Sequence, residues 1–264
     1  MKNNNIKTDQ EMYIEGCRRE YIFIKFARVA VLLAFLAIWE LASVFSIIDP
    51  FFFSSPSRIC LLFIDMCRNL EIFIHTGITL YETILSFLIV NILSIFVSVI
   101  MLSFERFSRI VEPYLVILNC LPKSALAPLI IVWLGTGSKT IIVAGISVAL
   151  FGSIINLYTG FMQVDSEKRK LITTLGGSKK DQLTKVIIPA SIPIILSNMK
   201  VNIGLSLVGV IIGEFLAARQ GLGYLIIYSS QVFQLDMLIM SIIILCLIAL
   251  LLYQSIDLLE QKYH

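Results

Sequence analysis

Charge is what this chain has least of. Lys, Arg, Asp and Glu make up 15% of its 264 residues, against about 25% in an ordinary soluble domain. Histidine is scarcer still. His75 and His264 are the only two, far apart in sequence, and no H-E-x-x-H pair exists for a metal hydrolase. No serine sits in a G-x-S-x-G elbow, so the usual hydrolase nucleophile is missing. The segment GTGSKT, 135–140, fails as a phosphate loop, because Ser138 separates Gly137 from Lys139. The segment QGLG, 220–223, lacks the third glycine of a dinucleotide fingerprint. Five cysteines (Cys17, Cys60, Cys67, Cys120 and Cys246) form no C-x-x-C pair. Cys60 and Cys67 could meet in an external loop, but free thiols are the expected state. These absences exclude a membrane protease, a metal hydrolase and an ATP site within this chain.

Apolar residues, by contrast, reach 58%, and the mean hydropathy is +0.89. A bilayer asks for about 20 consecutive apolar residues per helix, and the sequence supplies six such runs. The expected spans are roughly 27–48, 79–103, 113–134, 139–161, 190–217 and 236–256. Pro122 and Pro128 interrupt the third. The fold class is therefore all-α: one polytopic membrane domain over 27–257, with tails 1–26 and 258–264. The first 26 residues are polar and lead into a span with no small-residue cleavage site, which reads as a retained cytosolic tail. Lys and Arg crowd the N-terminal tail, the loop after span two (Arg106, Arg109) and the loop after span four (Lys168 to Lys185). By the positive-inside rule these are cytosolic, and so are both termini. Topology thus accounts for the net charge of +3, and no nucleic-acid partner is implied.

The loop 163–189 is the longest on the cytosolic side. Glu167 to Leu175 predicts a short helix capped by Asp165 or Ser166. Gly176 and Gly177 end it, since glycine tolerates a left-handed residue. Ser178 caps a second helix from Lys179 to about Ile188, and Pro189 is expected to turn the chain there. Leu183, Val186 and Ile187 fall on one face. This amphipathic elbow suits docking to a cytosolic partner, or else lies on lipid as an interfacial helix.

Polar residues inside spans are functional candidates by default. In span five, Asn198, Asn202, Ser206, Gly209 and Gly213 recur on one helix face. They predict a wall of a solute path at a dimer axis, or close packing by small residues and amides. Lys123, between Pro122 and Pro128, is a candidate anion-sensing residue, or it reaches a headgroup beside a packing kink. Lys200 can snorkel to the cytosolic surface. Glu40 and Glu82 stand near the outer ends of spans one and two, where solvation explains them. Glu214 stands at the outer end of span five, where a structural hydrogen bond or a place on the path would use it.

Several segments resemble one family. Gly176, nine residues and then Val186-Ile187-Ile188-Pro189 resembles the G-x9-I-x-L-P loop of ABC importer permeases. TLGGS, 174–178, is similar to TLGAS of the nitrate/sulfonate/taurine branch. PLIIVWLGTGSKT, 128–140, resembles its PLLILWFGIG, and NLYTGFMQVD, 156–165, its NTYAGV-x-x-VD. GEFLAARQGLGYLI, 213–226, resembles its AEFL-x-x-x-x-GLGYLI, and FFFSSPSRI, 51–59, its FLPSPS. The resemblance covers roughly residues 51–230. Lys170-Leu171-Ile172 departs from it, standing where the family has Glu-Ala-Ala.

The resemblance implies a type I importer permease fold of six transmembrane helices with a cytosolic coupling helix, in the bacterial cytoplasmic membrane. It assigns ATPase coupling to Gly176, Gly177, Ser178, Leu183, Val186, Ile188 and Pro189. It places Glu214 at the family's acidic position. The implied partners are two ABC ATPase subunits, an extracytoplasmic solute-binding protein, a second permease copy in a homodimer, and the lipid bilayer. No cofactor belongs to this chain; ATP and Mg would be bound by the ATPase. The implied solute is a small anion or a sulfonate-like or nitrogen-containing nutrient. A thiamine-precursor-like solute is the alternative within the family, and a lone ion-coupled carrier or channel the alternative outside it.

Overall fold

The structure is a computed structural model that describes residues 9–261. Every regular element among them is a helix. The chain divides into two compact units, residues 1–62 and 63–264.

The first unit holds α1 (Asp9–Val44), the short α2 (Pro50–Phe53) and the start of α3 (Pro56–Arg68). Helix begins at Asp9 rather than near residue 27, so the described part of the expected tail continues the first apolar helix. Residues 1–8 and 262–264 lie outside the described residues. Asp49 accepts the Phe51 N–H at 2.9 Å and starts α2. Glu40 accepts from the Ser57 backbone N–H and hydroxyl at 3.1 and 2.7 Å, tying the end of α1 to α3. Cys60 and Cys67 share α3, seven residues apart, about 10 Å along a helix, which is beyond the Cα separation of a disulfide. Both are free thiols.

The second unit is the helical bundle. Its members are α4 (Glu71–Ser103), α5 (Glu105–Cys120), α6 (Lys123–Leu134) and α7 (Ser138–Met162). After an elbow of short helices come α11 (Ile192–Ala217), α12 (Leu222–Gln231) and α13 (Leu235–Gln261). Among the described residues, five helices are long and apolar enough to cross a bilayer, and α5 with α6 makes a sixth, broken candidate.

The third span is where expectation and structure differ most. A single interrupted helix over 113–134 does not form. The chain turns by 97° between α5 and α6, with Leu121 and Pro122 extended at the corner. Proline disfavours the helical region for the residue before it, which ends α5. Pro128 does not break α6, and Pro113 lies inside α5.

Helices α4, α7 and α11 form the centre. Their contacts are made by small residues, which let helix backbones approach without a water-derived driving force. A Cβ added at Gly209 of α11 would stand 2.8 Å from the Gly145 Cα and 3.0 Å from the Ala144 carbonyl of α7. One at Gly145 would stand 2.6 Å from the Ser86 Oγ of α4.

Candidate functional site

The elbow is built by local signals that the sequence carries. Asp165 caps α8 (Ser166–Thr174), accepting the Glu167 N–H at 2.8 Å. Gly176 has φ +80°, the left-handed residue after the helix. Its N–H donates to the Thr173 carbonyl at 3.0 Å, and the Gly177 N–H to the Ile172 carbonyl at 2.8 Å. That bond pair is a Schellman stop. Gly177 has no room for a side chain: a Cβ there would meet the Ile172 Cγ2 at 2.4 Å.

Ser178 then caps α9 (Lys179–Gln182) in a reciprocal box with Asp181. The Asp181 N–H donates to the Ser178 Oγ at 3.2 Å, and the Ser178 N–H to Asp181 at 2.9 Å. Lys185 pairs with Asp181 at 2.9 Å. The Ser178 hydroxyl first, and Lys185 after it, hold the Asp181 carboxyl well below the usual carboxylate range. Gln182 donates to the Thr173 hydroxyl at 2.7 Å, bonding α9 back to α8. The two short helices are thus one braced piece.

Pro189 does not turn the chain. Leu183–Ile187 forms a π turn, and Ile188–Ala190 continues it as helix α10. Ile188 is helical, at φ −59° and ψ −50°, and its N–H reaches back to the Leu183 carbonyl. The wider turn carries the helix across the proline, which has no N–H to give. The break falls at Ser191, and Pro193 lies in the first turn of α11.

The elbow's apolar face is already used within the chain. Leu183, Val186 and Ile187 pack on Leu157, Phe161 and Val164 at the end of α7, and on Ile195 of α11. On α8 and its C-cap the exposed apolar residues are Leu171 (58%) and Leu175 (75%), beside the exposed Lys168 and Lys170.

The polar stripe of α11 also turns inward. Asn198 donates to the Ser153 Oγ of α7 at 2.7 Å, and Asn202 to Ser153 and to Asn91 of α4, both at 2.9 Å. Ser206 is fully buried, and Gly209 and Gly213 face the α7 backbone. The stripe therefore joins three helices of one chain. The open face of α11 carries Ser197, Val201, Gly204 and Val208, and a Cβ at Gly204 meets nothing within 4 Å.

The two candidate lysines both have partners inside the chain. Lys123 donates to the Leu118 carbonyl near the end of α5 and lies 5.0 Å over the Phe151 ring. It caps a helix C-terminus, where a cation suits the dipole. Lys200 pairs with Asp257 and Glu260 of α13 and does not snorkel free.

Glu214 organises the end of the bundle opposite the elbow. It accepts from the Thr79 hydroxyl of α4 at 2.7 Å and from the Gly223 N–H at 2.6 Å. Thr79 in turn accepts the Leu222 N–H at 2.8 Å, and His75 accepts the Gly221 N–H at 2.9 Å. Three successive backbone donors of the Gly221-Leu222-Gly223 turn are therefore held by side chains of α4 and α11. Gly221 has φ +118°, and a Cβ there would strike the Glu214 carboxyl at 2.5 Å, which explains a glycine at that position. His75 and Thr79 stayed undetected in the sequence, because ordinary residues at one-turn spacing carry no motif.

Glu82 overturns its expected solvated position. It is fully buried, and neither carboxylate oxygen has a hydrogen-bond partner. Helix α4 starts at Glu71, eight residues before the expected 79, so Glu82 stands three turns inside it.

Comparison with known proteins agrees with this architecture. Residues 90–264, more than half of the chain, match the family described as binding-protein-dependent transport system inner membrane component. A Haemophilus influenzae protein named as an ABC transporter permease is 30% identical over 86% of this chain and 92% of its own length. The Bacillus subtilis protein named for aliphatic sulfonates transport is 27% identical over 86% and 82%. The Halalkalibacterium halodurans protein named as a formylaminopyrimidine transport permease is 29% identical over 73% and 76%. Among solved structures, a chain of the inward-facing MetNI methionine ABC transporter superposes with a TM-score of 0.64 at 16% identity, covering 71% of this chain and 94% of that one. The chain belongs to the binding-protein-dependent transport system inner membrane components and is an ABC importer permease.

Proposed function

We propose that this permease carries a small sulfonate-like or nitrogen-containing nutrient inward, and that residues 163–190 couple it to a separate ATPase subunit. The observation that carries the coupling is the elbow's two-sidedness. One side is rooted in the bundle through Leu183, Val186 and Ile187. The other presents Leu171 and Leu175 to the cytosol beside unburied lysines. A lever needs both a root and a free face, and the Schellman stop with the capping box keeps it stiff. Gly176, Gly177 and Ser178 set its angle. Ile188 and Pro189 join it to α11.

The ATPase would bind the ATP and Mg, two copies serving a homodimer, and an extracytoplasmic binding protein would deliver the solute. The solute class rests on the relatives named for sulfonates and for formylaminopyrimidine, not on Lys123 or Lys200, whose charges are met inside the chain. Asn198, Asn202, Ser206 and Gly209 serve the path by bracing α11. Its open face, at Ser197, Val201, Gly204 and Val208, is the one free to meet the solute or the second copy. Both termini lie in the cytosol, on the side of the basic loops.

Copurification from detergent with the cognate ATPase tests the coupling. Burying a leucine contributes roughly 1.5–3 kcal/mol. Leu171→Glu with Leu175→Glu should then weaken ATPase binding by at least about 100-fold, with unfolding temperature unchanged. Retained ATPase binding together with lost vesicle binding makes the elbow a lipid-surface helix and refutes the coupling. Reconstituted permease that moves solute without ATP supports the lone carrier. Uptake competed by an alkanesulfonate but not by a pyrimidine, or the reverse, fixes the solute class.

A further inference from the structure

Glu82 is unused by the importer reading. It lines a cavity of about 540 Å³ at the outer end, with Gly77, Tyr81, Ser138 and Arg219 among its walls. Its carboxyl is sealed from solvent with both oxygens unpartnered. It lies beside the Ser138 hydroxyl and the Glu214 carboxyl, and Glu214 is itself buried and already holds two donors.

Two adjacent carboxylates in a low-dielectric site repel too strongly for both to stay ionised. An unpaired charge at membrane depth adds to that penalty. A single positive charge between them removes both difficulties. The oxygens are sealed from solvent, which leaves no space for a hydrated metal ion at them, whereas a proton needs none.

We propose that Glu82 and Glu214 share one exchangeable proton, which completes the clasp that holds the outer end of the bundle shut. With the proton, Glu82 donates to Glu214, and Glu214 keeps its bonds to Thr79 and Gly223. Without it, the two charges push apart, and Glu214 is drawn off the Gly221–Gly223 turn. The clasp therefore answers to the acidity of the outer compartment. The other titratable groups at this end include Glu71, His75 and Tyr81 of α4, Lys139 of α7, Arg219 after α11 and Tyr224 of α12. His75 already accepts the Gly221 N–H through Nδ1, and Arg219 and Lys139 are exposed.

The test uses the full-length permease in lipid nanodiscs. Infrared spectroscopy at pH 7 should show the carbonyl band of a buried protonated carboxylic acid, and the band should titrate away at alkaline pH. Glu82→Gln, which copies the protonated shape, should lack the band. Wild-type folding equilibrium should fall by up to about tenfold per pH unit while the folded pair keeps the proton that the unfolded carboxyls have lost, and level off once the pair loses it; the fall should be absent in Glu82→Gln. Absence of the band in wild type overturns the proposal without any variant. Parallel pH profiles for the two proteins overturn it as well. Stabilisation that follows Na⁺ or K⁺ concentration at fixed pH assigns the charge to a metal cation and also overturns it.

Discussion

Gly209 offers the sharpest test of how the bundle is held together. Its hydrogen faces α7, and a Cβ there would lie 2.8 Å from the Gly145 Cα, 2.9 Å from the Val148 Cγ2 and 3.0 Å from the Ala144 carbonyl oxygen. Comfortable contact needs about 3.5–4.0 Å. Two of the three obstacles are backbone, so no rotamer change relieves them. The helices must separate by roughly half an ångström or more, along a contact that also carries the Asn198 and Asn202 bonds to Ser153. Overpacking of this kind costs about 1–3 kcal/mol. Gly204, on the same helix, is the control, because a Cβ there meets nothing within 4 Å. Alanine is a better helix former than glycine by roughly 0.5–1 kcal/mol. Thermal unfolding of the purified permease in detergent should therefore rank Gly209→Ala below wild type, and Gly204→Ala level with it or above. Equal unfolding temperatures for wild type and Gly209→Ala would refute the close crossing of α11 and α7.

Thr79→Val removes both the donor to Glu214 and the acceptor of the Leu222 N–H. Leaving a buried backbone donor unpaired costs about 1–3 kcal/mol. Hydrogen exchange over 221–224 should speed up while exchange in α7 stays unchanged. Asp181 titrates below its unfolded value, so the stability it lends the elbow is present above that value and lost as pH falls through the folded one. Elbow amide protection, corrected for intrinsic rates, should be flat from neutral to mildly acid pH and fall only in strong acid. Asp181→Asn should lower it at neutral pH and abolish the fall in strong acid. Lys200→Met strands Asp257 and Glu260 and should lower the unfolding temperature. Adding Asp257→Asn and Glu260→Gln should recover part of the loss, a coupling that independent sites would not show.

What the sequence made legible was local. The stop at Gly176, the cap at Ser178 and the apolar face of 183–187 depend on residues within one or two turns, and all three are where the spacing places them. What stayed hidden depends on partners distant in sequence. Pro189 reads as a helix end, yet Ile187 is buried among α7 residues, and a π turn carries the helix past the proline. Pro122 and Pro128 look alike in sequence, but the chain bends only at Pro122. Glu82 reads as a solvated end because the first turns of α4, residues 71–78, are less apolar than the run that follows. The helix starts there regardless, which places the charge in the bundle. Asn198 and Asn202 are legible as important and illegible as to use, since a polar stripe looks the same facing a path or a neighbouring helix.

The use of that stripe bears on how the two ends of the permease communicate. Helix α11 begins one residue after the elbow and ends at the clasp. Its 26 residues span about 39 Å at 1.5 Å per residue, more than the hydrocarbon core of a bilayer. A helix driven at one end can bend, slide or move whole. Bending is opposed by the glycine contacts and amide bonds spaced along its length. Sliding past α7 by one turn would separate Asn198 and Asn202 from Ser153 and leave buried amides unpaired, with membrane-depth polar groups each costing several kcal/mol. The remaining motion is of α11 and α7 together. Both also hold the base of the elbow, through Ile195 and through Leu157, Phe161 and Val164. Under the proposed coupling, a push on the elbow would be delivered to a two-helix body that reaches Glu214 at the far side. On that proposal, a row of polar residues with no solute to touch would still belong to transport.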